Sequence, residues 1–261
     1  NFELLKLYYM KNVAWNVKLA LKSKALGKSY EESIEYIDLH SEELIGRREL
    51  IAKVLSAQDV QEAATLMSGS EFGPDIEKAV LAFTNTSEVR FFDVYVDHAV
   101  LSKIAKMYLA NPKFHAKTVD IASLGEIIAL DIDSYNLLSI LRAMLWGLQG
   151  SELKDLIVHP TFRASPPLLD RLIASESTAE AVKLVQDLYS MQQPVGNDEE
   201  LINAVEEMFL QESLRVTSRA FFWQKLGATQ ALAMTKLIEF ETRNLSAIAV
   251  GIEVGLPATT I

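Results

Sequence analysis

Along most of this chain, apolar residues return every three or four positions. Leu4, Leu5, Tyr8 and Tyr9 open one such stripe, Leu50, Ile51, Val54 and Leu55 form a second, Val182, Val185 and Tyr189 a third, and Leu201, Ile202, Val205 and Phe209 a fourth. That period keeps them on one side of a helix with 3.6 residues per turn, so each stretch predicts an amphipathic helix. Pro74, Pro112, Pro160, Pro166, Pro167, Pro194 and Pro257 fall where the period breaks, where a residue without an amide proton does least harm. Asn-Gly and Asp-Gly, the strongest local hairpin signals, do not occur. The pattern predicts an all-α protein. One segment reads two ways. Phe92, Val94 and Val96 alternate with Asp93, Tyr95 and Asp97 as in a half-buried strand, whereas Phe92, Val96, Ala99 and Val100 keep helical spacing and run on through Ile104 to Tyr108, before Asn111 and Pro112. The helical reading is preferred because VDHAVL, from Val96, has a counterpart in VEEMFL, from Val205.

The chain also repeats itself. Asn16, Asn136 and Asn244 are each followed eleven residues later by a glycine, Gly27, Gly147 and Gly255. Eleven residues is close to three helical turns, which puts each Asn and its Gly on the same face. The positions between them on that face are mostly small: Leu19 and Ser23, Ser139 and Ala143, Ala247 and Gly251. Asn and Gly both lower helix propensity, Gly by about 1 kcal/mol relative to Ala, so repeating the pair implies a compensating interaction. The expectation is that a neighbouring helix approaches closely over this stripe and that the Asn amide hydrogen-bonds to it. Leucine at Ala143 or Gly147 would then overpack the contact by roughly 1–3 kcal/mol.

Two further correspondences keep the same order. Asp97 and Glu206 precede Asn136 and Asn244 at nearly equal distances, and LSAQDVQEAATL, from Leu55, resembles IASESTAEAVKL, from Ile173. Both of the latter place a Ser or Asp cap candidate ahead of an amphipathic run, with Glu62 and Glu180 matching. Ordered landmarks at near-constant spacing predict three related helical units, 1–87, 88–196 and 197–261, joined near Asn85 and in the MQQPVGND stretch. The first reads as short of its front part and the third of its back part, and the opening residues read as the continuation of a folded unit. Charged neighbours vary more between the copies. Asp133 and Glu241 stand three residues before their asparagines but Val13 does in the first copy, and Lys22 and Arg142 stand six after but Val250 does in the third. These charges are therefore expected to matter less than the stripe.

With 261 residues, 49% of them hydrophobic, the chain can bury a substantial core. Its net charge of −10 disfavours a broad phosphate-binding surface, and with it nucleic acid and anionic lipid. The absence of cysteine excludes disulfides and thiolate metal sites. No apolar run is long enough to span a bilayer, because charges such as Asp131, Asp133 and Arg142 interrupt each candidate.

Candidate chemistry is sparse. His40, His98, His115 and His159 lack the i, i+4 pairing that presents two imidazoles to a metal, and each is read as solvated or capping. Asp93 and Asp97 share a helix face among aromatics, as in a metal-dependent all-α enzyme, but such sites need a second carboxylate cluster. A solvated acidic face is preferred. Gly69 and Gly73 in SGSEFGPD lack the Gly-Lys-Ser or Gly-Lys-Thr of a nucleotide loop and are read as a helix C-cap followed by a Pro-terminated turn. No nucleophile elbow accompanies the Ser, His and Asp residues. No catalytic, cofactor-binding or metal residue is assigned.

IDSYNLLSILRAMLWGL, from Ile132, and FETRNLSAIAVGIEVGL, from Phe240, resemble segments of the C subunit of archaeal and bacterial A-type/V-type ATP synthases, a family similar to the d (AC39) subunit of vacuolar ATPases. LMSGSEFG, ending at Gly73, and the acidic landmarks at Asp97 and Glu206 resemble further segments of that family in the same order, over nearly the whole chain. The resemblance implies a helical funnel of three similar domains and a structural rather than enzymatic subunit, without cofactors. It implies a rotor part whose cavity receives the central-stalk D and F subunits and whose other side sits on the membrane proteolipid ring. Such a subunit is cytoplasmic and peripheral on the inner face of the cell membrane. An arginine expected late in the third copy is Val250 here, which bears on partner affinity more than on fold. A repeat-built helical adaptor without a motor role is the alternative.

Overall fold

The computed structural model describes residues 2–38, 40, 43, 46, 48–110, 119–148, 150–192, 194–223 and 227–257. Asn111, Pro112 and His115, and the side chain of Leu4, lie outside the described part. Among the described residues there are twelve α-helices and no strand. In chain order they are α1 (Phe2–Ala25), α2 (Tyr30–Ile34), α3 (Arg48–Ser56), α4 (Val60–Met67), α5 (Gly73–Thr86), α6 (Arg90–Ala110), α7 (Val119–Leu145), α8 (Ser151–Lys154), α9 (Pro166–Ile173), α10 (Thr178–Tyr189), α11 (Asp198–Trp223) and α12 (Ala228–Glu253). The segment that reads two ways in the sequence is helix α6, with Phe92, Val96, Val100 and Ile104 in the core.

Local chemistry sets the short helices. Ser29 and Glu32 form a reciprocal capping box on α2. Asp59 accepts from the Glu62 amide at the start of α4 while Glu62 accepts from the Gln58 amide, and Ser177, Glu180 and the Glu176 amide repeat that arrangement on α10. Each cap satisfies amides that the first helical turn leaves without partners. Pro74 and Pro166 stand in the first turns of α5 and α9, where no amide proton is required.

The long helices make the frame. α1 packs along α6, α7 along α11, and α11 along α12, while α6 touches α7 and α12 closes back on both α1 and α7. The shorter helices lie outside: α2, α3 and α4 against α1, and α8, α9 and α10 against α7. One contiguous core runs through the whole set, from Val13 and Val17 through Ile51, Phe72 and Phe92 to Ile140, Val205 and Leu232. A smaller cluster of Val94, Ala143, Leu153 and Leu156 joins α6, α7 and the α8 turn.

Candidate functional site

Asn16 lies fully buried on α1, where its side-chain amide donates to the Asp38 carbonyl at 2.8 Å and its oxygen accepts from the Asp38 amide at 3.1 Å. Asn136 does the same on α7, donating to the Val158 carbonyl at 3.1 Å and accepting from the Val158 amide at 2.8 Å. In both copies the clasped residue lies 22 positions downstream, after a short helix. The partner is thus the backbone of a returning segment, not the neighbouring helix that the sequence suggests. A primary amide matches both the N–H and the C=O of one peptide residue, which explains why Asn stands inside these helices despite its poor propensity.

The glycines are not packing positions. Gly27, Gly147 and Gly255 have φ of +68°, +79° and +74°, and a Cβ at any of them would meet open space. Each follows the last turn of its helix and closes it in the same way. The amides of Gly27, Gly147 and Gly255 donate to the carbonyls of Lys24, Met144 and Ile252, and those of Lys28, Leu148 and Leu256 donate to Ser23, Ala143 and Gly251. This is the Schellman arrangement, in which a left-handed residue lets the chain turn back and satisfies the final carbonyls. The expectation of overpacking at Gly147 is corrected accordingly. Ser23, Ala143 and Gly251 share the outer acceptor role, and Ala143 is also enclosed beside Val94 and Leu153.

Asp133, a charge that varies between the copies, is a fully buried hub. Its carboxylate accepts from the Phe162, Arg163 and Ala164 amides at 3.3, 2.8 and 3.3 Å and from the Tyr189 hydroxyl at 3.1 Å. Burial raises its pKa, and the four donors pull the other way. The same burial, with Asp133 alongside, pushes the Tyr189 hydroxyl up.

On the opposite side of α7, a cavity of about 650 Å³ opens between α1, α6, α7 and α12. Its walls carry Lys11, Lys18, Asp93, Asp97, Asp131 and Arg142, with Trp15, Tyr135 and Trp146 between them. Ion pairs tie the walls together. Lys18 meets Asp97 at 2.9 Å and Lys22 meets Asp93 at 2.7 Å, joining α1 to α6. Glu206 of α11 receives Arg142 at 2.6 Å and Arg243 at 3.1 Å, joining α7 and α12. Asp131 receives Lys11 at 2.8 Å, Lys236 at 2.5 Å and the Tyr8 hydroxyl at 3.2 Å, joining α1, α7 and α12. Burial by itself would lift the Asp131 carboxyl, but Lys11 and Lys236 hold it well below the usual range. Burial pulls Lys236 down; in Lys11 burial is also the largest single influence, but the charges of Asp131, Glu239 and Asp97 and the hydrogen bond to Asp131 together outweigh it and hold the ammonium up.

The acidic landmarks Asp97 and Glu206 are therefore the receiving ends of interhelical pairs, and Asp93 and Asp97 each hold a lysine. Among the described residues no group of three or more His, Asp or Glu side chains is placed to hold a metal ion. His98 is neither solvated nor capping. Its Nδ1 lies 2.7 Å from Asp75, tying α6 to α5, with the Ser102 hydroxyl 3.4 Å from its Nε2. Gly73 opens α5 instead of ending a helix, and a Cβ there would run into the Ser68 carbonyl. Asn244 stands apart from its two counterparts: it is exposed, and its amide has no partner among the described residues.

Buried clasps on one side of the long helices and a charged cavity with ion-paired walls on the other mark an all-helical protein, among the described residues. The chain belongs to the ATP synthase (C/AC39) subunit family, whose model matches residues 2–261. It is similar to the C subunit of the A-type ATP synthase of Methanocaldococcus jannaschii, 24% identical over 143 residues, a match covering 55% of this chain and 34% of that protein. It is also similar to the corresponding C subunit of the A-type ATP synthase of Haloferax volcanii, 24% identical over 282 residues, covering 100% of this chain and 72% of that protein. No solved structure matches significantly. No helix among the described residues is long and apolar enough to cross a membrane.

Proposed function

We propose that this chain is the C subunit of an A/V-type ATP synthase and serves there as a non-catalytic rotor part, coupling the central shaft to the membrane proteolipid ring. The observation that carries the reading is the cavity that opens between α1, α6, α7 and α12, helices cross-linked around it by ion pairs. A spacer that transmits torque needs walls that resist shear, and dense interhelical packing supplies that stiffness. The foot of the central stalk, made by the D and F subunits, occupies the cavity in this reading. The opposite end rests on the ring and holds the protein peripherally on the inner face of the membrane. The three units 1–87, 88–196 and 197–261 form a funnel around that cavity. Asn16, Asn136 and Asn244, with Ser23, Gly27, Ala143, Gly147, Gly251 and Gly255, are its recurring structural positions; Asn16 and Asn136 act through the clasp, and the Ser, Ala and Gly positions through the helix end.

Mixing the chain with separately expressed D and F subunits tests the reading by size exclusion. It predicts a stoichiometric complex, weakened by charge reversal at Lys18 and Arg142. Independent elution of the chain and the stalk pair, together with no recovery on a purified proteolipid ring, would leave the helical-adaptor alternative standing in its place.

A further inference from the structure

We propose that the cavity between α1, α6, α7 and α12 selects its occupant by charge: it receives an acidic polypeptide segment, carried by the foot of the central stalk, through Arg90, Arg142 and Arg243. The inference rests on the rotor reading and adds to it the chemistry of the partner.

The chain as a whole carries a net charge of −10, yet the cavity is lined with an excess of the opposite sign. Lys11, Lys18, Arg90, Arg142 and Arg243 line it against Asp93, Asp97 and Asp131. The ion pairs do not cancel this excess. Lys18 and Lys22 each take one aspartate, but Asp131 serves both Lys11 and Lys236, and Glu206 serves both Arg142 and Arg243. One positive charge is left over at each shared carboxylate. Glu239 on α12 also acts on Lys11, but it is exposed to water, which screens it.

Arg90 adds a surface for carboxylates. It lies 3.4 Å from Glu88 and its guanidinium carbon is 4.6 Å from the Trp146 ring centroid, while its Nε is buried with no hydrogen-bond partner among the described residues. An arginine resting on an indole is pre-organised to present its N–H groups to an anion. Lys18 stands likewise over Trp15, 5.6 Å from the ring centroid, and Trp15 is 59% exposed.

The layout suits a chain better than a small anion. Asp131, which holds two lysines, and Arg142 are eleven residues apart on α7, about 16 Å along the helix axis. The surplus charges therefore do not converge on one point. Tyr135 and Leu138 line the cavity between them, offering apolar contact along the way. A cleft of one sign with low-dielectric walls concentrates its field on a partner of the other sign.

The test measures the affinity of the whole chain for a fluorescein-labelled D–F stalk pair by anisotropy. Arg90→Gln and Arg243→Gln should each weaken binding about tenfold, and raising salt from about 50 to about 300 mM should weaken the parent by at least as much. Asp97→Asn should act in the opposite direction and tighten binding severalfold, which loss of structure would not do. Lys78→Gln, on the outer surface of α5, should change nothing. Equal affinity of the parent and both arginine variants would overturn the proposal and leave the rotor reading standing. So would tighter binding by the arginine variants with weaker binding by Asp97→Asn, since the partner's segment would then be basic. Absence of any complex with the parent at low salt would instead contradict the rotor reading, and the proposal would fall with it.

Discussion

Three helix ends of one design, those of α1, α7 and α12, meet three different environments. Asn136 holds Val158, which is itself fully buried, and the loop beyond is tied down again by Asp133. Asn16 holds Asp38, whose residue is exposed, and Val13 stands where Asp133 does in α7. Asn244 is in water. The comparison separates what is common from what is local. The glycine-closed helix end is the same in all three, so it does not depend on what covers the helix. The free energy of the Asn contact depends on whether water can replace the amide, because a buried peptide group that loses its partner keeps the whole desolvation cost.

Substitutions sharpen this contrast in order of expected size. Asp131→Asn acts on the cavity side of α7 and strands the buried Lys236 and the partly buried Lys11, for which roughly 3–5 kcal/mol is expected in chemical denaturation. Its pH dependence has a definite sign. The folded carboxyl titrates below its unfolded range, so its contribution is complete above about pH 4 and is lost as the pH falls through the folded value. The variant should therefore show a flatter loss of melting temperature on acidification than the parent. Asp133→Ala, on the clasp side, leaves three amides and the Tyr189 hydroxyl unpartnered and should cost about 3 kcal/mol, with proteolysis rising first between Phe162 and Ala164.

Among the asparagines a graded series is expected. Asn136→Ala should cost about 2–3 kcal/mol, since both polar groups of Val158 stay buried. Asn16→Ala should cost about 1 kcal/mol, since water reaches Asp38. Asn244→Ala should stay within about 0.5 kcal/mol, as for other exposed positions. Equal losses at all three positions, read from urea midpoints, would break the comparison.

Much of this is legible in the sequence. The apolar period locates the helices, and the cap pairs Asp59/Glu62 and Ser177/Glu180 are readable because a cap is local to four residues. The recurring Asn is visible, but its partner is not, because a contact 22 residues away leaves no periodic trace. The glycine role has a local signal. Lys22 and Lys24 occupy the last turn before Gly27, and Pro257 follows Gly255 closely, both ordinary helix-stop signals. Eleven-residue spacing points instead to a shared face, although the glycine has already left the helix. Asp133 escapes for a related reason. Its absence from the first copy makes it look dispensable, although a position that varies between copies can still be fixed in one of them. The ion pairs that wall the cavity join residues as far apart as Lys11 and Lys236 through Asp131, and only the folded arrangement brings them together.

The claim that the Asn amide holds the returning backbone is tested most directly by amide hydrogen exchange at Val158, compared between the parent chain and Asn136→Ala. Exchange at Val158 should accelerate strongly in the variant while the amides inside α7 keep their protection. Unchanged exchange at Val158 would contradict the clasp.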